Sequence, residues 1–166
     1  MIERTACLSE SKVYRWWLER HIDGGGKSAL WIGVNPSTAD GKVDDTSIRK
    51  LYGFGDRLGI KSWYVANKFA FRATDVRKVA RAEDPIGWGC DMTLRLAMQQ
   101  VDLVIVGWGA IGKLPPRLQN RWRDIVAMAD EFNVDLHCWG VCKDGHPRHP
   151  LMLSYDTPLE KWTPPQ

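Results

Sequence analysis

No stretch of this 166-residue chain approaches the run of about 18 apolar residues that crosses a bilayer. The first residues also lack the basic segment followed by a long apolar one that marks a secretory leader. A cytoplasmic protein with no membrane partner is therefore expected. Charge of one sign is scarce as well: 23 Lys and Arg against 20 Asp and Glu leave a formal charge of +3, too small for a histone-like binder of nucleic acid. That balance still permits a local basic cleft. Cysteine is sparse, and Cys7, Cys90, Cys138 and Cys142 are scattered without a tight CxxC turn; reduced thiols are expected. The chain has neither a G-x-x-x-x-G-K-[ST] loop nor a G-x-G-x-x-G after a strand, so no nucleotide cofactor is indicated. Repeats, low-complexity tracts and long linkers are absent too, the glycine turn Gly24 to Gly26 being the longest break.

What is abundant is tryptophan, with nine residues, in a chain that is 44% hydrophobic and 26% charged. That composition suits one globular domain spanning 1–166, with wide flat side chains for a core, a pocket for a planar ligand, or both. Thr5 to Leu8 and Val13 to Ile22, around Ser9-Glu10-Ser11, read as a small structural hairpin within an N-terminal extension over 1–27. From Ser28 onward short apolar runs alternate with helical spacing. Strands are expected at Ala29 to Val34, Ser62 to Ala66, Leu103 to Val106 and Val134 to Trp139. A helix is expected from Thr46 to Leu58, with Asp45 near its cap and Gly59 as its stop. Short helices should follow Asp75 and Asp91, and a long one should run from Pro115-Pro116 to Phe132. The expected architecture is α/β: a three-layer sandwich around a mainly parallel four-stranded sheet.

Ligands of such sheets lie beyond the strands' carboxyl ends. Those ends carry Asn35, Asn67, Trp108 and the segment Lys143 to His149. Asn35 projects an amide from Gly33-Val34-Asn35-Pro36-Ser37, which is otherwise an ordinary turn. The Asn67 amide offers a donor and an acceptor, the complement of a pyrimidine edge, and is otherwise a strand-end cap. Asp40, Asp44, Asp45 and Arg49 follow the first strand, where a carboxylate serves either as a helix cap or as a base for water. The segment from Cys142 to Ser154 admits two chemistries. Cys138, Cys142, His146 and His149 are zinc-type ligands, but the spacing and the stiffening by Pro147 and Pro150 argue against a metal site. Alternatively His149 is a neutral donor fixed by Pro150, with Lys143 and Arg148 on phosphate; the bland alternative is a structural histidine. Arg72, Arg77, Lys78, Arg81, Arg117, Arg121 and Arg123 supply basic faces that solvation alone also explains.

Four stretches together resemble a family of bacteria and their phages known only as a domain of unknown function, DUF1643. They are Gly33 to Asp40, Asp45 to Arg49, Asn67 to Asp75 and Lys143 to Leu151. The order Gly33-Val34-Asn35-Pro36, Tyr64-Val65-Ala66-Asn67, Val106-Gly107-Trp108-Gly109 and His149-Pro150-Leu151-Met152-Leu153-Ser154 also resembles, more distantly, the uracil-DNA glycosylase superfamily. That resemblance implies that Asn35 positions water, Asn67 reads a base edge, His149 donates to the departing base and Leu153 wedges into a duplex. Asp40, Asp44 or Asp45 would assist Asn35, and Trp108, Tyr52 or Phe54 would supply an aromatic platform. The implied function is hydrolysis of an N-glycosidic bond in DNA or a nucleotide, a modified pyrimidine being one such base. The alternative is a non-catalytic module that binds modified DNA or a nucleotide, linked to phage or DNA-modification biology. Two departures stand out: the stronger glycosylases carry Asp where this chain has Asn35, and Ser where it has Leu151.

Overall fold

A computed structural model describes residues 1–166. Four strands run parallel at its centre: β3 (Lys27–Gly33), β4 (Ile60–Asn67), β5 (Leu103–Val106) and β6 (Leu136–Cys138). They belong to a larger mixed sheet of seven, in the order β1-β2-β4-β3-β5-β6-β7, with β1 (Ile2–Leu8) and β2 (Arg15–Ile22) at one edge and β7 (Glu160–Lys161) at the other. The N-terminal hairpin is thus no separate appendage. β2 lies antiparallel on β4, with Leu18 opposite Val65 and His21 opposite Ser62, and extends the same sheet.

The chain passes from β3 through α1 (Thr46–Leu58) to β4 on one side. It then returns past β3 to β5 and continues through α4 (Trp122–Glu131) to β6 on the other. Right-handed crossovers running in opposite directions lay their helices on opposite faces of a sheet. On one face α1 packs Ile48, Leu51 and Phe54 against Ala29, Trp31, Trp63, Val65 and Ile105. On the other, α3 (Cys90–Gln100) and α4 pack Leu94, Met98, Ile125 and Met128 against Leu30, Ile32, Val104 and Val106. Both inner faces of β3 to β5 are covered, which explains why these strands read as unbroken apolar runs. α2 (Val76–Arg81) joins a small satellite cluster through Val79 with Phe69, Leu114 and Leu118.

Helix α1 has the bounds its signals require: Asp45 Oδ1 accepts from Ile48 N at 3.0 Å, and Gly59 closes the helix at φ +70°. The helix expected from Pro115 to Phe132 divides. Pro116–Arg121 forms a 3₁₀ segment, and the α-helix begins only at Trp122; the Arg121 side chain at the junction donates to Lys68 O at 3.0 Å and pairs with Asp91 and Asp124.

Two buried arginines of β2 hold the long loop between β3 and α1 against the sheet. Arg20, fully buried, donates from Nε to Asp44 Oδ1 at 2.7 Å, and from its two Nη atoms to Asp40 O at 2.6 Å and Glu19 O at 2.7 Å. Asp44 also accepts from Tyr52 Oη at 2.9 Å. Arg15 donates from Nη1 to Ala39 O at 2.8 Å. Removing one member of a buried, hydrogen-bonded charge network leaves the others unsatisfied. Arg20→Met is expected to cost about 3 kcal/mol or more, read as a lowered urea midpoint with the slope of the transition unchanged.

Candidate functional site

The registry of β3 on β4 sets Gly33 beside Asn67 at the strand ends. A methyl group on Gly33 would lie 2.8 Å from Trp31 Cη2 and 3.0 Å from Asn67 Oδ1, so only glycine leaves room for both. Gly107, which follows β5, is constrained in the same way: its methyl would lie 2.7 Å from Trp31 Nε1 and 3.2 Å from Pro150 Cδ. The indole of Trp31 therefore spans from one glycine to the other beneath the strand ends. His149 stands edge-on to it, with centroids 5.5 Å apart and planes at 88°.

Above this floor lies a cavity of about 210 Å³. Its wall brings together Asn35, Asp45, Asn67 and His149, with Trp31, Arg15 and the hydroxyl residues Ser37, Ser47 and Thr74. Asn35, Asp45 and His149 have part of their hydrogen-bonding capacity committed, which defines what remains. Asn35 donates from Nδ2 to Ala73 O at 2.7 Å and Pro36 O at 3.0 Å, leaving Oδ1 as an acceptor. Asp45 engages Oδ1 at the cap of α1 and retains Oδ2. Asn67 is 4% exposed, and its Nδ2 has no partner. His149 Nδ1 accepts from Leu151 N at 3.2 Å, so the ring proton of the neutral form resides on Nε2. Burial holds His149 below the ordinary value of 6.5, opposed by the charge of Asp45.

The family profile for Protein of unknown function (DUF1643) matches residues 15–151. The chain belongs to this family. The matched region begins at Arg15 and ends just past His149, so it contains every residue named above in the cavity wall. No curated protein and no solved structure matches the chain. The likeness to the glycosylase superfamily rests on the four short motifs alone.

Several residues suggested by the sequence lie elsewhere in this DUF1643 chain. Trp108 is buried against Trp162, edge-on at 5.2 Å, and is no stacking platform for the cavity. Phe54 stacks on Trp139 at 4.2 Å in the core, and Tyr52 is tied to Asp44. Leu153 is 5% exposed and packs in the core beside α1, which rules it out as a wedge. The reason is the 3₁₀ turn Pro150–Met152, closed by Leu153 N on Pro150 O at 3.0 Å, which turns Leu153 inward and leaves Met152 88% exposed. Arg49 donates to Asp44 O, just ahead of its own helix, at 2.6 Å. Lys143 is exposed, and Arg148 lines a neighbouring cavity of about 320 Å³ that shares His149 as a wall. Cys138, Cys142, His146 and His149 do not gather into a set of metal ligands; His146 Nδ1 instead accepts from Trp108 Nε1 at 3.4 Å. All four cysteines are free thiols, and no helix is long and apolar enough to cross a membrane.

Sequence reasoning missed Arg15 and Trp31. The signal for Arg15 was a lone charge within Tyr14-Arg15-Trp16-Trp17, where a solvent-facing residue would be out of place. Lys68, next to Asn67, was also missed. Fully buried, its Nζ has no hydrogen-bond partner and sits 4.9 Å from the centre of the Trp108 ring. Burial, aided by the Arg121 charge, lowers its pKa from 10.5 to about 7.

Two measurements check this electrostatic picture. The His149 ring should titrate below the value of a free histidine and show the Nε2–H tautomer in ¹⁵N-edited NMR spectra at neutral pH. Lys68→Met should stabilise the fold by about 1–4 kcal/mol near pH 7. Between pH 7 and 10.5 the unfolded chain keeps the Lys68 proton that the folded one has released, so wild-type stability rises with pH. The advantage of Lys68→Met should therefore shrink across that window in denaturation curves.

Proposed function

We propose that the cavity binds a nucleobase and that the protein hydrolyses the N-glycosidic bond joining that base to its sugar, in DNA or in a nucleotide. The observation that carries this reading is the convergence of Asn35, Asp45, Asn67 and His149 on one small cavity beyond the strand ends, although 114 positions separate Asn35 from His149 in sequence. The motif order shared with the uracil-DNA glycosylases supports it as well.

Cleaving such a bond develops positive charge at the sugar and negative charge on the base. Rate enhancement comes from fixed donors facing the base and an oriented water at the sugar carbon. His149, neutral and carrying its proton on Nε2, is a donor suited to a base carbonyl oxygen. The unpartnered Nδ2 of Asn67 is a second donor, matched to another acceptor on the base edge. Asn35 Oδ1 and Asp45 Oδ2 are the acceptors left for a water molecule. The water hydroxyl goes to the sugar carbon and its proton to Asp45, while the base departs with the bonding electron pair, held by His149. Trp31 supplies the aromatic surface, in place of Trp108, Tyr52 or Phe54.

One observation favours the binding-module reading instead. Asn35 stands where a carboxylate would be the stronger partner for water, and its amide group takes up no proton at neutral pH. The two readings part on chemistry. Incubation with single- and double-stranded oligonucleotides and mononucleotides carrying normal and modified pyrimidines should release free base. His149→Gln is expected to slow release by about 10²–10³-fold, and Asn35→Ala to abolish it within detection, measured by chromatography of the released base. Saturable binding without release across the whole panel would establish the non-catalytic module.

A further inference from the structure

The cavity has a cationic end that the base-binding reading leaves unused. Residues 13–15 run antiparallel to 70–72: Arg15 N donates to Ala70 O at 2.9 Å, Arg72 N donates to Val13 O at 2.9 Å, and Tyr14 bridges Phe71 between them. Side chains alternate along such a pair, so Arg15 and Arg72 project to the same side, opposite the edge-on rings of Tyr14 and Phe71. Their positions are diagonal neighbours, about 7–8 Å apart, within reach of long side chains. Arg15 is 3% exposed, lines the cavity and forms no ion pair; Nη1 holds Ala39 O, and Nε has no partner. Arg72 is half-buried, reaches Lys12 O from Nη1 at 3.2 Å and likewise has an unpartnered buried Nε.

The acidic groups in range, Asp40 and Asp45, each keep one carboxylate oxygen free of hydrogen bonds and form no ion pair with Arg15 or Arg72. Asp45 caps α1 through Oδ1, and Asp40 Oδ1 accepts from Lys42 N at 2.8 Å and Val43 N at 2.9 Å. Burial, against the pull of Asp45 and with the push of Arg72 and Arg20, lowers the Arg15 pKa to about 10. A buried guanidinium without a carboxylate is costly. Arg72, half-buried and outside the cavity wall, adds a second cation on the same side, and with Arg15 and the hydroxyls of Ser37 and Thr74 in that wall it matches the several acceptor oxygens of a phosphate.

We propose that Arg15 and Arg72 form a phosphate-binding subsite at this end of the cavity, so that the ligand is a phosphorylated nucleotide and not a free base or nucleoside. The inference rests on the nucleobase reading for the rest of the ligand, and the phosphate is either the terminal group of a mononucleotide or a backbone diester.

Isothermal titration of the wild-type chain with inorganic phosphate, a pyrimidine nucleoside, its 5′-monophosphate and a short single-stranded oligonucleotide tests it. At least one phosphorylated ligand should bind tenfold or more tightly than the nucleoside, with inorganic phosphate competing. Preference for the monophosphate assigns a terminal phosphate, and preference for the oligonucleotide assigns a backbone one. Arg72→Gln, with its fold checked by circular dichroism, should remove the advantage and leave nucleoside affinity unchanged, while Arg72→Lys retains part of it. The subsite is overturned if the nucleoside binds as tightly as both phosphorylated forms, if Arg72→Gln keeps the advantage, or if neither phosphate nor any phosphorylated ligand binds. Phosphate binding that requires Arg72, with no gain from any base, would support the subsite and defeat the base reading.

Discussion

The rim of this sheet depends on one packing constraint: the indole of Trp31 needs the space that only Gly33 and Gly107 leave free. With the ring lodged there, the ends of β3 and β5 are tied to a common surface, and Pro150 also closes on Gly107. His149 then meets the ring edge-on and has Nδ1 occupied by the backbone of its own 3₁₀ turn. A histidine whose plane, tautomer and charge are all determined by neighbours is preorganised, which is the property that gives a polar group its value in a dry site.

The opposite wall is built by different means. The loop from Asn35 to Asp45 contributes few apolar side chains, Ala39 being buried, and is held by guanidinium groups of β2 reaching its carbonyl oxygens. Arginine suits this role because its planar fork satisfies several acceptors at once. The same loop ends at Asp45, which starts α1 and lines the cavity. Loop anchoring, helix initiation and site electrostatics are therefore coupled. The N-terminal strands, which read as a structural prelude, supply Arg15 to the cavity wall and belong to the site.

How much was legible in the sequence depended on the range of the forces involved. Helix α1 and strand β5 could be read to the residue, because a cap, a stop and an apolar run are local signals. Strand β7 was missed because its two exposed residues, Glu160 and Lys161, carry no strand pattern and pair only because β6 presents an open edge. The helix after Pro116 was read as continuous, since a proline at a helix start opens a 3₁₀ turn as readily as an α one. Leu153 seemed to face outward because its motif resembled one with an exposed side chain there, whereas the hydrophobic cluster under the 3₁₀ turn draws it inward.

By itself, then, the sequence determined the α/β alternation, the polar residues at the strand ends and membership of the family, all of which follow from local periodicity and short motifs. Tertiary structure alone decided which of those polar residues share a cavity, which atoms of each remain unpaired, and that Arg15 and Trp31 join them. The reason is physical. A hydrogen-bonding group is defined chemically by what has already satisfied it: Asp45 is met by Ile48 N of its own cap, but Asn35 is met by Ala73 O and Arg15 by Ala39 O, partners that only the folded chain brings near.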